Sequence, residues 1–271
     1  MAHRVAIVTG SARGIGKAIA LRLVRDGYSL CINDIPSSQE AIDATVNEIR
    51  AQVPESRVIG NAADVTSSAQ VEGLVKETVD KLGPLTLMVA NAGISQVKPL
   101  LSVTEADIDK VMSVNVKGVF NCYTHAARQM IAQGDPKAAA GVNVYKIVGA
   151  SSIVSHKPFP TMGIYSASKF AVRGLTQVTA MELAPHKITV NGYAPGIVDT
   201  AMWEKIDDGL GELEGREAGE SMRLYSDRLI ALGRTSQPED VAGLVGGFLA
   251  SKDSDYVTGQ TMVVDGGVVF T

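Results

Sequence analysis

Short β-branched runs alternate with helix-periodic stretches along the whole of this chain, and the first pair sets the terms for the rest. Arg4 to Val8 reads as a strand, TGSARGIG follows at once, and KAIALRLVRDGY then repeats apolar residues at helical spacing. The same alternation returns in YSLCIND, a helix over about 39–53 that stops before Pro54, RVIGNAADV, SAQVEGLVKETVDKLG and LTLMVANAG. It continues through YKIVGA, the helix that runs on to AMELAP, KITVNGYAPG, PEDVAGLVGGFLAS and TMVVDGG. Strands that alternate with helices in this way imply a parallel sheet covered by helices on both faces, an α/β fold. At 271 residues the chain is within the range of one large unit with a substantial core, so a single domain over residues 1–271 is expected.

The glycine turn carries the first chemical signal. Gly10, Gly14 and Gly16 are spaced G-x-x-x-G-x-G between a strand and a helix, and that context suits a pyrophosphate laid against a helix N-terminus. Asp34 ends the second strand, where a carboxylate can accept hydrogen bonds from ribose hydroxyls and repel a 2′-phosphate. This favours NAD over NADP; the plainer alternative is that Asp34 caps the next helix. Arg13, in the glycine turn, pulls the other way as a cation that could assist NADP. Asp64 and Val65 reach the sheet edge, where they can flank an adenine ring, and Asn91, Ala92 and Gly93 are small residues suited to lying beneath a cofactor. Pro195 and Gly196 follow a later strand, where the backbone can close over the nicotinamide end.

A second signal is SSIVSHKPFPTMGIYSASK, from Ser151 to Lys169. Tyr165 and Lys169 are four apart and so share a helix face. A phenol titrates near ~10, and a cation close by lowers that value towards neutrality. Ser152 ends the preceding strand, placed to hold a carbonyl or alcohol oxygen against the phenol. Tyrosine and lysine at this spacing also occur as an ordinary solvated face, so the pair gains meaning only from its company. In TEADIDKVMSVNVKGVFNCYTHAARQMIA, two helical pieces meet near Asn115, read either as a structural bracket or as part of a proton relay. Residues 133–145 read as a surface loop. Residues 199–232 turn charged and glycine-dotted and read as a mobile helical flap anchored by Trp203.

Other chemistries are poorly supported. Cys31 and Cys122 lie in apolar stretches and read as buried free thiols, and His3, His125, His156 and His186 show no paired ligand spacing, so no metal site is expected. A net charge of -4 gives no basis for nucleic-acid or anionic-membrane binding. The longest apolar runs are about half of the roughly twenty residues a membrane span needs. The N-terminal apolar segment is too short for a secretory signal, and a cytoplasmic location is expected.

TGSARGIG, Asp64-Val65, NAG at 91–93, Asn115, Ser152, YSASK at 165–169 and PGIVDT at 195–200 together resemble the short-chain dehydrogenase/reductase family, in order and over nearly the whole chain. The resemblance implies a single doubly wound Rossmann domain, a nicotinamide cofactor and a homotetramer. It implies cofactor contacts from Gly10, Arg13, Gly14, Ile15, Gly16, Asp34, Asp64, Val65, Asn91, Ala92, Gly93, Tyr165, Lys169, Pro195, Gly196, Val198 and Thr200. It also implies that Tyr165 passes the proton, Lys169 tunes it and binds ribose, Ser152 orients the substrate oxygen, and Asn115 holds a water beside Lys169. Within the family the chain resembles the diacetyl/acetoin reductases, also called butanediol dehydrogenases, which use NAD. That group tends to carry glutamine after the serine and asparagine seven residues after it. Here Ile153 and Phe159 stand in those places, so a more apolar substrate pocket is implied, with Trp203 as a further lining residue. The reaction implied is the interconversion of a secondary alcohol and its ketone. Reduction of a 3-oxoacyl thioester, polyol oxidation and a non-catalytic NAD-binding role are the alternatives.

Overall fold

In the computed structural model, which describes residues 4–271, seven parallel strands form one sheet in the order β3-β2-β1-β4-β5-β6-β7. Met1, Ala2 and His3 lie outside the described residues. The first half comprises β1 (Arg4–Thr9), α1 (Gly14–Arg25), β2 (Tyr28–Asp34), α2 (Gln39–Gln52), β3 (Val58–Ala62), α3 (Ser68–Leu82) and β4 (Leu85–Ala90). Then come α4 (Glu105–Met112), α5 (Gly118–Gln133), α6 (Pro136–Ala140), β5 (Tyr145–Ala150), α7 (Gly163–Leu183) and β6 (Ile188–Pro195). The chain ends with α8 (Ala201–Glu214), α9 (Glu220–Leu229), α10 (Pro238–Leu244) and β7 (Thr261–Val264). The expected doubly wound α/β architecture is therefore present.

Alternation along β1 shows why both faces are covered. Ala6 and Val8 point into a core shared with Ile19 and Leu23 of α1, Ile42 of α2 and Val241 of α10. Val5 and Ile7 point the other way, towards Leu74 of α3, Val119 and Ala126 of α5, and Val172 of α7. Successive strand residues face opposite sides, so a strand buried on both must be apolar throughout, as RVAIVT nearly is. Each fully buried Leu or Ile contributes roughly 1.5–3 kcal/mol. Cys31 and Cys122 belong to this second core as buried free thiols, and burial pushes both up to about 12, the unreactive end of the thiol range.

Order in the sheet reverses between β1 and β4. The chain winds outward through β2 and β3, then returns to continue on the other side of β1. The carboxyl ends of β1 and β4 thus diverge into loops on opposite faces, and the crevice between them is where open α/β sheets bind ligands.

Two sequence expectations need correction. The stretch 133–145 is not one loop: Asp135 caps α6 by accepting from the Lys137 amide at 2.9 Å, and Tyr145 is a fully buried strand residue. Low complexity in KAAAG hid a helix too short to show a period. In the 199–232 region, Trp203 is half-buried, whereas Ile206 and Leu210 are the deeply buried anchors of α8.

Candidate active site

The glycine turn is built by steric demand. Gly10 has φ +62°, in the left-handed region that favours glycine, and a Cβ there would lie 2.9 Å from the Cα of Ala92. At Gly16 a Cβ would lie 2.2 Å from the carbonyl oxygen of Gly10, an impossible contact, so α1 can start this close to β1 only with glycine. Asn91 locks the arrangement. Its side-chain amide donates to the carbonyls of Thr9 at 2.9 Å and Gly10 at 3.0 Å, and it accepts from the Tyr193 hydroxyl at 2.7 Å. Asn91 therefore braces the turn from below. Tyr193, fully buried on β6, was not singled out from sequence, because a buried tyrosine in a strand reads as core.

Around this turn the other expected residues gather at the carboxyl edge of the sheet. Asp34, half-buried, accepts from the Ala12 amide at 3.3 Å and from its neighbour Ile35 at 2.9 Å. It caps no helix, since the turn at 36–38 has no side-chain cap. Arg13 is exposed just before α1, and Ile15 is half-buried within the helix's first turn. Asp64 accepts from the Thr66 amide at 2.8 Å, and the carbonyl of Val65 accepts from Asn121 at 2.8 Å, which fixes the loop after β3. Thr200 caps α8, and its methyl carbon lies 3.6 Å from where a Cβ at Gly14 would be. The segment through Pro195, Gly196 and Val198 therefore leads back across the crevice to the glycine turn. The result is a cradle of backbone with room that side chains would fill, which fits a pyrophosphate-linked dinucleotide.

The second cluster sits beside it. Tyr165 and Lys169 lie on the buried face of α7, and the Lys169 ammonium is 5.7 Å from the centre of the Tyr165 ring. That ammonium donates to the carbonyl of Ala150 at 2.9 Å, one bond for a group with three donors. Ser152, at the end of β5, is buried as well. Burial pushes the Tyr165 phenol up to about 12, against the lowering effect of the Ser152 hydroxyl, and burial pushes Lys169 down to about 8. This corrects the expectation that lysine alone acidifies the phenol. Desolvation dominates both shifts, which keeps the phenol neutral near pH 7.

Asn115 lies in a π-helical turn, Ser113–Lys117, between α4 and α5. Its amide donates to the carbonyl of Ile94 at 2.9 Å and to Ser168 at 3.0 Å, and its oxygen accepts from the Ile94 amide at 2.9 Å. Of the two readings, the bracket is what its bonds express. One lone pair of the oxygen has no partner among these bonds, and both that oxygen and the Lys169 ammonium lie close to Gly93, 3.3 Å and 3.4 Å from where a Cβ there would be.

Beyond Tyr165 the surface becomes apolar. Ile153, Val154, Met162, Ile206 and Leu210 form one buried cluster with the tyrosine, and Phe159, Trp203, Val97, Val268 and Val269 pack against that cluster. The three expected lining residues, Ile153, Phe159 and Trp203, are thus brought together. Sequence reasoning missed Met162, Ile206, Leu210, Val97 and the tail valines; the i, i+4 spacing of Ile206 and Leu210 was the available signal. Asp265 sets the tail by accepting from the amides of Gly267 at 2.8 Å and Val269 at 2.7 Å. Thr161, between Ser152 and Tyr165, has φ +63°, a costly conformation for a β-branched residue, and its carbonyl accepts from the Lys98 amide at 2.7 Å. Among the described residues no cluster of metal-ligating side chains occurs, and no helix is long and apolar enough to cross a membrane.

Residues 4–211 match the short chain dehydrogenase family. The chain is 47% identical over 267 residues to an L-2,3-butanediol dehydrogenase from Corynebacterium glutamicum, covering 98% of this chain and 99% of that one. It is 39% identical over 270 residues to a diacetyl reductase, (S)-acetoin forming, from Staphylococcus epidermidis, covering 98% and 99%. A short chain dehydrogenase from Burkholderia cenocepacia, solved in complex with NADP, superposes with a TM-score of 0.82 at 32% identity, covering 98% of this chain and 97% of that one. The protein belongs to the short-chain dehydrogenase family, and it is an oxidoreductase of that family.

Proposed function

We propose that this enzyme interconverts a secondary alcohol and its ketone with NAD(H), acting on substrates more apolar than acetoin. The observation that carries the reading is the buried Ser152, Tyr165 and Lys169 group, opening on one side to the glycine cradle and on the other to an apolar cluster. Gly10, Gly14, Ile15 and Gly16 hold the pyrophosphate at the N-terminus of α1, and Asp34 accepts from the adenosine ribose. Arg13 lies at the rim of that site. Asp64 and Val65 border the adenine, Ala92 and Gly93 form the floor that Asn91 braces, and Pro195, Gly196, Val198 and Thr200 close the far side. The dinucleotide supplies the hydride donor or acceptor when bound.

The rest is done by the chain's own groups. Ser152 hydrogen-bonds the substrate oxygen and holds it near the Tyr165 hydroxyl. In the reducing direction the neutral phenol gives its proton to that oxygen, and in the oxidising direction the phenolate takes one back. Lys169 uses its two spare donors on ribose hydroxyls, and the open lone pair of Asn115 accepts from a water beside the ammonium. Ile153 and Phe159 offer no hydrogen bonds to a second substrate oxygen, so a vicinal diketone gains nothing over a simple ketone of similar size. The names of the relatives favour this reading over a 3-oxoacyl thioester, a polyol or a binding role without turnover.

The choice of NAD rests on Asp34, whose carboxylate faces the cradle and would repel a 2′-phosphate. A homotetramer is supported by the exposed apolar side chains Phe120, Phe170, Val178 and Met181 on α5 and α7 and by Phe270 in the tail; light scattering that gives the mass of one chain would contradict it. The cytoplasm is the proposed location, checked by cell fractionation. The function itself is tested by a panel of ketones and secondary alcohols assayed with both dinucleotides. Turnover fastest with apolar ketones and NADH is expected, and tight NADH binding without turnover on any member would revive the binding-protein reading.

A further inference from the structure

One buried carboxylate is left over by this chemistry. Asp207 is 2% exposed in the middle of α8, on the same buried face as Ile206, Leu210 and Gly211. Among the described residues it forms no salt bridge. Its oxygens accept instead from two backbone amides of a different helix, one from Gly219 and one from Met222 at 2.6 Å. Those are orphan donors at the start of α9, and Gly219 itself supplies no side-chain cap. The cap of α9 therefore comes from α8, twelve residues upstream of Gly219. A carboxylate is well matched to that place, because the helix N-terminus carries partial positive charge and a buried anion needs such compensation.

The position matters because of what stands beside it. Ile206 and Leu210, on the same face as Asp207, belong to the buried apolar cluster that includes Tyr165, and Tyr225 of α9 packs on that cluster. Gly209 brings α8 close to the loop after β4, where its Cβ would be 2.9 Å from Val97. Of the residues of α9 only Ser221 and Ser226 are buried, so that helix brings little apolar core of its own to its contact with α8. Resting on the functional reading above, the geometry points to Asp207 as a positioning residue: a clasp that holds α9 against α8 and so fixes the apolar wall of the substrate site.

The clasp separates substrate binding from cofactor binding and from the proton step. Asp207→Ala removes both acceptors, and Asp207→Asn keeps one while turning an N–H towards an N–H. Each hydrogen bond from a charged group is worth roughly a factor of ten or more, so Asp207→Ala should raise KM for an apolar ketone about tenfold, with kcat changed less than about threefold. NADH affinity measured by fluorescence should stay within about twofold. Hydrogen exchange of the amides over 216–229 should speed up about tenfold while exchange in the sheet is unchanged, with Asp207→Asn between wild type and alanine in both readouts. Unchanged KM and exchange would overturn the proposal, as would a joint loss of kcat, NADH affinity and sheet protection. Failure of both variants to fold would overturn it too, by assigning the carboxylate to the whole domain. The exchange and NADH measurements need no turnover, so a wild-type enzyme inactive on ketones would refute the functional reading while still deciding the clasp.

Discussion

The two sides of the crevice are built by different means. On the cofactor side, position is set by backbone: glycines where a Cβ cannot go, and an asparagine bonded to main-chain carbonyls. On the substrate side, position is set by side chains that meet from five separate stretches, namely 97, 153–165, 202–210, 225 and 263–269. A backbone-built site tolerates almost no change at its few fixed positions, whereas a wall of packed side chains can be exchanged residue by residue. The wall can therefore be altered without disturbing the cradle.

The cradle is the most rigid part of the cofactor side and the first to break. Gly16→Ala drives a methyl group into the Gly10 carbonyl, so the start of α1 must move. Overpacking of this kind costs roughly 1–3 kcal/mol, and NADH affinity should fall at least tenfold; titration by fluorescence checks this, and wild-type affinity would show the contact relaxes freely. Next is Asp34→Ala. Removing a carboxylate that repels the 2′-phosphate should narrow the NAD over NADP ratio of kcat/KM by about a hundredfold, since like-charge juxtaposition costs several kcal/mol. An unchanged ratio would remove Asp34 as the selector.

On the opposite wall, Ile153→Gln with Phe159→Asn should shift kcat/KM about tenfold towards acetoin or diacetyl relative to an apolar ketone, the worth of one or two restored hydrogen bonds. A smaller effect tests the burial of the catalytic pair. Lys169 falls to about 8 on folding, so between pH 8 and its ordinary value near 10.5 the unfolded chain binds more protons and stability rises with pH. Tyr165, raised to about 12, has the opposite sign, and its contribution declines above about pH 10. Denaturant melts from pH 7 to 9.5 should show a rise of up to about 1.4 kcal/mol per pH unit in wild type that is lost in Lys169→Met. Parallel curves for the two proteins would show that the ammonium is not buried.

The same division decides how much could be read from sequence. Gly10, Gly14, Gly16, Asp34 and the Tyr165–Lys169 pair are local patterns, tied to a strand end or one helix turn, so their placement follows from the chain's alternation. The i, i+4 spacing of Ile206 and Leu210 shows that they share one helix face, but that this face joins the cluster of Tyr165 depends on tertiary packing that no local rule gives. Trp203 reads as the anchor from sequence because it is the largest apolar side chain in its stretch, yet helix phase gives that place to Ile206 and Leu210. The phenol's state is not legible for a related reason: spacing shows that a cation is near, but not that both groups lie out of water.

The central claim is that the Tyr165 phenol moves the proton on and off the substrate oxygen. Tyr165→Phe removes only that hydroxyl. Assayed with a ketone and NADH, it should bind NADH within about threefold of wild type and lose about a hundred- to ten-thousandfold in kcat, the usual worth of a general acid. Turnover within tenfold of wild type, with NADH bound as before, would contradict the account.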